Sequence, residues 1–411
     1  MCGRGAVRRK LNGIGPICKP PCLLPVGRPS SWRHSSLNSS NSSIVTLKRE
    51  DAYATVITNA MYRVCPFAHQ KPAEKYPVQA KALICDSKQA FTFQDVVLPE
   101  TGPDRVLVRA LKTGVSIGTE FALIRNKISW GPYPLCVGYQ GVGVIEEAGE
   151  NVEGFAVGDR VYYRDGKWME LTDGTKVSCV AGTHCSHAMI DPKTTHGIAH
   201  LPKEVPDEAG SLFVMPSVAL YGVDMANVRM GTVAVVYGCG QIGLGVVAFC
   251  SLRGAVTIAV DVRDDRLEVA KALGADHVIN GSAQDVQAEV KKIAPPGADA
   301  VFESTGIPAC VDQAIPLART FGTFVMQGNY GAAPISFNFL PAHGRRLTWH
   351  FPCDDGMAPC RRGVMKNMAI GALDWGKVIT HRVQATEAPA LYDAINKGEA
   401  DDVIGAVINW E

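Results

Sequence analysis

The chain has 411 residues, a formal net charge of +1, and 46% hydrophobic and 20% charged residues. These values are typical of a globular protein with room for two or three domains. So small a net charge gives no field that would attract nucleic acid or an anionic membrane, and no apolar run approaches the roughly 20 residues that span a bilayer. We therefore expect no nucleic acid or membrane partner. A small-molecule substrate and a homo-oligomer are further expectations.

The N-terminus differs in composition from the rest of the chain. Residues 1–49 are rich in arginine, lysine, serine and proline and contain no acidic residue. This composition is typical of a disordered tail or of an organelle transit peptide. We expect a disordered or weakly structured extension over residues 1–78, with Met61 as an alternative start. A cytoplasmic protein is expected, with an organelle as the alternative if residues 1–49 are a transit peptide.

Thirteen cysteines are scattered through the chain without any C-x-x-C pair. The pattern therefore indicates neither a zinc ribbon nor a redox pair. We expect reduced, mostly buried thiols in a reducing compartment.

A β-rich segment begins at about Gln79. Alternating apolar residues in "AKALICD", "AFTFQDVVLPE" and "DRVLVRALKTGVS" predict strands. The pattern changes at Asp207 and Glu208, where apolar residues begin to recur at helical spacing through "PDEAGSLFVMPSVALYGVDMANV".

Strands and helices then alternate from "TVAVVYG" to "GTFVMQG", with "IPACVDQAIPLAR" predicted as the last helix of the series. Such alternation predicts a parallel sheet with right-handed crossovers, and hence an α/β fold. The chain from about residue 345 returns to a mixed pattern.

The segment "VAVVYGCGQIGLG" carries Gly238, Gly240 and Gly243 as G-x-G-x-x-G between a buried strand and a helix. In this context the glycines permit a tight turn, close approach of backbone N–H groups to a pyrophosphate, and close helix packing. The helix N-terminus then faces the phosphates.

The second strand ends in Asp261, about twenty residues further on. A carboxylate at this place binds the ribose hydroxyls of adenosine and repels a 2′-phosphate, so we expect NAD as the cofactor. NADP is the alternative, since Arg263 and Arg266 follow and would bind a phosphate if the acid turned away.

The order of "VGYQGVGVI", "VGDRV", "GCGQIGLG", "AKALGADHVI", "VFESTG" and "GNYG" resembles the medium-chain dehydrogenase/reductase superfamily, the relatives of zinc alcohol dehydrogenase. The resemblance covers residues 81–411. It implies a GroES-like catalytic domain over residues 79–218 that resumes at 345–411, a Rossmann domain over 219–344, and an active site between them. It places cofactor-binding roles on Gly238, Gly240, Gln241, Ile242, Gly243, Asp261, Arg266, Ser304, Thr305 and Gly306.

The positions of the family's catalytic zinc ligands carry unsuitable residues in this chain. Ile117 stands before the "GTE" triplet, Tyr139 takes the place of a ligand in "GYQ", and Met215 lies in the third ligand region. The four-cysteine lobe of the family's structural zinc is also missing. The chain thus resembles zinc-free members, including relatives of 2-hydroxyethyl bacteriochlorophyllide dehydrogenases and of polyol dehydrogenases, and we expect no metal.

One group of residues argues for metal binding. Cys179, His184, Cys185 and His187 lie close together in "SCVAGTHCSHAM". Their spacing matches no common zinc arrangement, so we interpret them as packing residues.

Without zinc, hydrogen-bond donors must polarise the substrate oxygen. The resemblance implies that Thr119 relays the alcohol proton and that Tyr139 lies near the nicotinamide, where it can exchange a proton if its pKa is lowered. Glu120 completes the predicted catalytic set, with a structural role favoured for it. The expected function is zinc-free hydride transfer between nicotinamide and an alcohol or carbonyl compound. A quinone or enoyl reductase and a non-catalytic nucleotide-binding protein are the alternatives.

Overall fold

The computed structural model describes residues 78–129, 131–166, 168–194 and 196–411. The predictions about the N-terminal extension and the start at Met61 lie outside the described residues, except that Val78 already belongs to the first strand. None of the described helices combines the length and the apolar character that crossing a membrane requires.

The N-terminal part of the fold consists of two mixed β-sheets. The first has the strand order β7-β2-β1-β4-β8, and the second has the order β10-β6-β5-β3-β18-β17 with β9 paired to β3. These strands are β1 (Val78–Cys85), β2 (Phe91–Leu98), β3 (Val106–Val115), β4 (Leu135–Cys136), β5 (Gly141–Ala148), β6 (Arg160–Tyr163), β7 (Glu170–Leu171), β8 (Ser178–Cys179), β9 (His187–Ile190), β10 (Ile198–His200), β17 (Ile379–Gln384) and β18 (Gly405–Asn409).

The end of the chain joins the second of these sheets. Strand β18 runs antiparallel to β3, with Val407 opposite Gly114, and parallel to β17. The last residues therefore lie beside the end of β3, from which the segment "SIGTE" follows.

The third sheet is wholly parallel and confirms the predicted α/β fold. Its order is β13-β12-β11-β14-β15-β16. The strands are β11 (Val233–Tyr237), β12 (Val256–Asp261), β13 (His277–Asn280), β14 (Ala298–Glu303), β15 (Ala318–Met326) and β16 (Thr348–His350). Strand β16 extends this sheet past residue 344, where the sequence placed the end of the Rossmann domain.

Helices cover the parallel sheet and join it to the mixed sheets. They are α1 (Thr119–Ile124), α2 (Asp207–Ser211), α3 (Val214–Met225), α4 (Gln241–Leu252), α5 (Asp264–Ala272), α6 (Val286–Ile293), α7 (Pro308–Ala314), α8 (Phe339–Arg345), α9 (Met357–Ala369) and α10 (Ala388–Lys397). The largest apolar cluster runs from Tyr139 through Met215 on α3 to Val236 in the parallel sheet. This continuous core holds the two kinds of sheet together around the candidate site.

Two predicted elements differ from the observed ones. The helical pattern after Pro206 forms two helices, because the N–H groups of Leu212 and Phe213 bond three residues back and a tighter turn separates α2 from α3. The helix predicted over "IPACVDQAIPLAR" ends at Ala314, and β15 begins already at Ala318. Pro316 has no N–H group to continue the helix, which explains the early end.

Candidate functional site

The predicted phosphate-binding turn lies between β11 and α4. Gly238 has φ +99°, a conformation that only glycine adopts freely. A Cβ atom on Gly243 would lie 1.8 Å from the carbonyl oxygen of Gly238, whereas one on Gly240 would meet nothing within 4 Å. The turn is thus closed where the helix packs and open at Gly240, directly before the N-terminus of α4. These residues fit a dinucleotide pyrophosphate.

Asp261 lies directly beneath this turn, at the end of β12. Its Oδ2 accepts a hydrogen bond of 2.7 Å from the backbone N–H of Cys239, and its Oδ1 accepts from the N–H of Val262 at 2.8 Å and of Arg263 at 3.1 Å. The carboxylate therefore fixes the turn. Arg266 places Nη1 4.0 Å from Oδ2 of Asp261.

The two arginines near Asp261 differ in their surroundings. The guanidinium of Arg263 is paired with Asp265 at 2.9 Å and with Asp401 at 2.6 Å, so it is held by other carboxylates. The Nε atom of Arg266 is buried and has no hydrogen-bond partner among the described residues. Of the two, Arg266 is the one available to a cofactor.

The "FESTG" segment meets the phosphate-binding turn. A Cβ on Gly238 would lie 2.7 Å from Cγ2 of Thr305, so the two turns touch. The buried carboxylate of Glu303 accepts a 3.0 Å hydrogen bond from the N–H of Thr305, and also bonds from the hydroxyls of Thr305 and Tyr330. The Oγ atom of Ser304 is buried without a partner among the described residues. An unpaired buried hydroxyl beside an open cradle fits a cofactor that would complete its hydrogen bonding.

Gln241 connects the cofactor cradle to the segment in which the catalytic residues are predicted. It is the first residue of α4, and its Nε2 donates a 3.2 Å hydrogen bond to the carbonyl oxygen of Val115. Val115 ends β3 and directly precedes Ser116. The cradle and the segment "SIGTE" are therefore neighbours in the fold, as an active site between them requires.

Tyr139 lies beside this segment and is 6% exposed. Its hydroxyl donates a hydrogen bond to Oγ of the buried Ser116. Burial raises the pKa of Tyr139 to about 12, while hydrogen bonds with Ser116 and Thr119 and the charge of Arg164 act in the lowering direction, and Glu120 in the raising direction. The sequence suggested a lowered pKa as the route to proton exchange, and the structure shows the opposite shift. Tyr139 therefore stays protonated at neutral pH and acts as a donor.

Glu120 is fully buried and faces inward. Its Oε1 accepts a 2.8 Å bond from the N–H of Ser116, and its Oε2 accepts from the hydroxyl of Tyr392 at 2.5 Å and lies 3.1 Å from Nε2 of His184. Burial, and then the charge of Glu120, raise the pKa of the Tyr392 hydroxyl, which therefore remains a donor. Glu120 fixes the segment that carries Thr119.

The buried network continues away from the site. Nδ1 of His184 lies 2.9 Å from the hydroxyl of Thr113, which accepts a 2.9 Å hydrogen bond from the indole N–H of Trp410. The sequence singled out His184 only as part of a cysteine–histidine group. Tyr392 and Trp410 were not identified, because they are distant in the chain and carry no local pattern.

The remaining members of the cysteine–histidine group make packing and surface contacts. Cys185 is buried in an apolar cluster against which Cys179 packs, and Nε2 of His187 lies 3.2 Å from the carboxylate of Glu146. Cys179 bonds through Sγ to the carbonyl of Val177. These contacts are those of packing residues.

Two family sequence models match the chain. The alcohol dehydrogenase GroES-like domain matches residues 102–202, and the zinc-binding dehydrogenase domain matches residues 242–353. The first match contains Tyr139 and the second contains Gly243 and Asp261.

The chain is similar to curated relatives over most of their length. An alcohol dehydrogenase from Cupriavidus necator is 29% identical over 341 residues, which is 73% of this chain and 90% of the relative. Sorbitol dehydrogenase 2 from Saccharomyces cerevisiae is 30% identical over 294 residues, which is 67% of this chain and 82% of the relative.

Solved structures share the fold. A zinc-binding dehydrogenase from Sinorhizobium meliloti, solved with NADP bound, gives a TM-score of 0.70 at 23% identity and covers 81% of this chain and 99% of its own. The 2R,3R-butanediol dehydrogenase from Bacillus subtilis gives a TM-score of 0.69 at 22% identity, covering 80% and 99%.

The zinc that these families bind does not fit the corresponding residues here. Ile117 packs against the apolar cluster around Phe121, whereas Met215 is buried in the large cluster that also contains Tyr139. A catalytic zinc takes three nitrogen, sulfur or carboxylate ligands from the protein. An isoleucine, a phenol that stays protonated and a thioether do not form such a set.

Proposed function

Because the chain belongs to the zinc-type alcohol dehydrogenase-like branch of the medium-chain dehydrogenase/reductase superfamily, we propose that it performs this family's chemistry without catalytic zinc. It is an NAD(P)-dependent oxidoreductase of the alcohol dehydrogenase type. The proposed reaction moves a hydride between the nicotinamide and the carbon of an alcohol or carbonyl group. The nicotinamide supplies the hydride chemistry when it is bound, and the protein supplies binding, orientation and proton transfer.

The observation that carries this proposal is the neutral phenol of Tyr139 at a former metal-ligand position. A metal would polarise the substrate oxygen as a Lewis acid. A buried hydroxyl with a pKa of about 12 instead donates a hydrogen bond to the oxygen as negative charge develops on it. In the described structure this proton points to Ser116, so substrate binding must redirect it toward the substrate oxygen.

The proton released in alcohol oxidation needs another path. Tyr139 already holds its proton, so it does not serve as the base at neutral pH. Thr119 is half-buried, and its neighbour Gly118 is exposed. We assign Thr119 the role of passing the alcohol proton outward, and Glu120 that of holding Thr119 in place through Ser116.

NAD is the proposed cofactor. The resemblance assigns Asp261, at the end of β12, to the adenosine ribose, and a carboxylate there disfavours the 2′-phosphate of NADP. Arg263 is engaged by Asp265 and Asp401 and so does not offset that charge. Of these two arginines, Arg266 remains near Asp261 and favours NADP.

We propose that the protein is a homo-oligomer whose interface includes the edge of the parallel sheet. Strand β16 is an edge strand, and the apolar side chains of Phe351, Phe339 and Leu340 are exposed near it. Open strand edges with apolar surface are frequent sites of pairing. Light scattering on the purified protein measures this directly, and a monomer at micromolar concentration would contradict it.

The decisive experiment is cofactor turnover by the purified, chelator-treated protein. NADH or NADPH formation is measured with secondary alcohols and polyols, and cofactor consumption with ketones, aldehydes and quinones. Turnover of alcohols or their carbonyl products after metal removal supports the proposal. Activity that disappears with chelation and returns with zinc would overturn the zinc-free mechanism, and turnover confined to quinones with NADPH would overturn the substrate class.

A further inference from the structure

Arg164 lies beside Tyr139 but takes no part in the chemistry described above. It directly follows β6, and its guanidinium carbon lies 5.5 Å from the centre of the Tyr139 ring. The side chain is 18% exposed. A cation at this distance contacts the ring face of the proposed donor while keeping a polar surface open.

The partners of Arg164 come from a different part of the chain. Asp354 and Asp355 lie between β16 of the parallel sheet and α9. Nη1 of Arg164 pairs with Oδ1 of Asp354 and lies 3.0 Å from Oδ2 of Asp355, and Nε2 of His196 lies 3.2 Å from Oδ2 of Asp354. The cluster therefore links the β-rich part to the segment that leaves the cofactor-binding sheet, next to Tyr139.

The cluster has a buried base and an open outer side. Asp355 is fully buried and is held by Arg361, whose Nε lies 2.6 Å from Oδ2. Asp354 and His196 are 25% and 37% exposed. Asp354 also has φ +67°, an uncommon conformation for a residue other than glycine. Such strain persists where surrounding contacts fix it, and it is frequent in binding sites.

The ionic state of Asp354 follows from its partners. Burial alone would raise the pKa of this carboxyl, but the hydrogen bond from His196 and the charge of Arg164 lower it well below its usual range. Nδ1 of His196 lies 2.7 Å from Nη2 of Arg361 and 3.3 Å from Nη1 of Arg164, so this nitrogen accepts and Nε2 carries the proton. The open side thus offers the carboxylate of Asp354 as an acceptor beside the guanidinium of Arg164.

The charges of the cluster exclude two kinds of ligand. Within the described part of the chain, His196, Asp354 and Asp355 are the one group of side chains placed closely enough to hold a metal ion. A cation there would meet two guanidinium groups on the same carboxylates, and an anion would meet two carboxylates. The two positive and two negative charges compensate each other, so the site suits a neutral ligand that both donates and accepts hydrogen bonds. A hydroxyl group has this property.

We propose that Arg164, Asp354 and His196 form a subsite for a second hydroxyl group of the substrate, while Tyr139 binds the reacting oxygen. The preferred substrate is then a vicinal diol or polyol, or the matching hydroxyketone. This inference rests on the proposed function. The carboxylate of Asp354 accepts the substrate hydroxyl proton, and the guanidinium of Arg164 donates to its oxygen.

The test compares two substrates that differ only in the second hydroxyl. kcat/KM is measured for 2,3-butanediol and for 2-butanol with the full chain and NAD. We expect the wild-type protein to prefer the diol by about tenfold to a hundredfold, the range for hydrogen bonds to charged groups. Asp354→Asn should reduce the ratio between the two substrates toward one. Asp95→Asn removes an exposed carboxylate that is paired with Lys81 in the other mixed sheet, and it should keep the wild-type ratio of kcat/KM values.

Several results decide the matter. Equal use of both substrates by the wild-type protein, or an equal loss on both in Asp354→Asn with the ratio kept, would overturn the subsite and leave only a structural ion pair. Arg164→Lys is the second variant, and its affinity for NAD is measured as well. It should reduce the ratio of kcat/KM for the diol to that for 2-butanol, because lysine lacks the forked donor geometry. If neither alcohol nor ketone is turned over with either cofactor, the proposed function itself fails, and the subsite with it.

Discussion

Replacing Tyr139 by phenylalanine separates the chemical role of this residue from its packing role. The ring remains in the large apolar cluster, and only the hydroxyl is lost. If this hydroxyl donates to the substrate oxygen, its removal should lower kcat by about a hundredfold to a thousandfold, the usual effect of losing one donor to a developing oxyanion. NAD binding should stay within about twofold, because Tyr139 contributes nothing to the described cofactor cradle.

The same change also affects stability, because the Tyr139 hydroxyl bonds to the buried Ser116. Losing this hydrogen bond and leaving the Ser116 hydroxyl unpaired costs about 1–3 kcal/mol. For a chain of this size we expect a fall in Tm of a few degrees, since roughly 2–4 °C correspond to 1 kcal/mol in a domain of 150–250 residues. A fall in activity alone could therefore be blamed on instability.

Ser116→Ala is the matched control. It removes the same hydrogen bond from the other side and leaves the tyrosine donor intact. Initial rates at saturating NAD and Tm are measured for the wild type, both single variants and the double variant. Both single variants should lose similar stability, but only Tyr139→Phe should lose turnover. The reasoning is refuted if Tyr139→Phe keeps turnover within threefold of the wild type, or if Ser116→Ala falls as far.

Three further predictions follow from the cofactor site, the metal positions and the ionisation of Tyr139. Asp261→Asn should narrow the preference for NAD over NADP by about tenfold in Kd, since it removes the carboxylate charge. The amide oxygen still accepts from the N–H of Cys239, but the amide nitrogen cannot accept from the N–H groups of Val262 and Arg263, so Tm is measured together with Kd. Tighter binding of NADPH than of NADH by the wild type would contradict the expected preference. Activity should survive dialysis against a chelator, and elemental analysis should find much less than one zinc per chain; a retained zinc would contradict the mechanism. The folded-state pKa of Tyr139 is raised to about 12, so its contribution to the free energy of unfolding is complete below its unfolded pKa of about 10 and is lost as pH rises toward 12, by about 1.4 kcal/mol per pH unit. Between pH 10 and 12 the free energy of unfolding, measured with urea, should therefore fall less steeply for Tyr139→Phe than for the wild type. Identical slopes for the two proteins would refute the raised pKa.

Features that depend on neighbouring residues were predictable from the sequence. The strand before Gly238, the glycine spacing and Asp261 at the end of β12 all lie within one βαβ unit, and the structure brings them together. Hydrophobic periodicity was a poorer guide to the type of element where apolar residues follow one another without interruption. The run after Pro308 was predicted as one helix to Arg319, because a short apolar run does not distinguish a buried helix from a buried strand.

The partners of Glu120 were not predictable. His184 and Tyr392 contact its carboxylate although they lie 64 and 272 positions away in the sequence, and no local pattern encodes such contacts. The direction of the Tyr139 pKa shift was missed for a related reason. Its sign depends on the balance between burial and nearby charges, and burial is decided by the tertiary packing of several elements.

The network around Glu120 gives a physical reason why tyrosine can stand at a metal-ligand position. A buried carboxylate costs several kcal/mol unless hydrogen bonds or an opposite charge compensate it. In this chain the N–H of Ser116, the hydroxyl of Tyr392 and the imidazole of His184 surround the carboxylate and compensate for its burial. The remaining negative charge raises the pKa of Tyr139 further and keeps its proton in place. In the proposed zinc-free mechanism, the residues that stabilise this carboxylate therefore also maintain the donor that takes the metal's role.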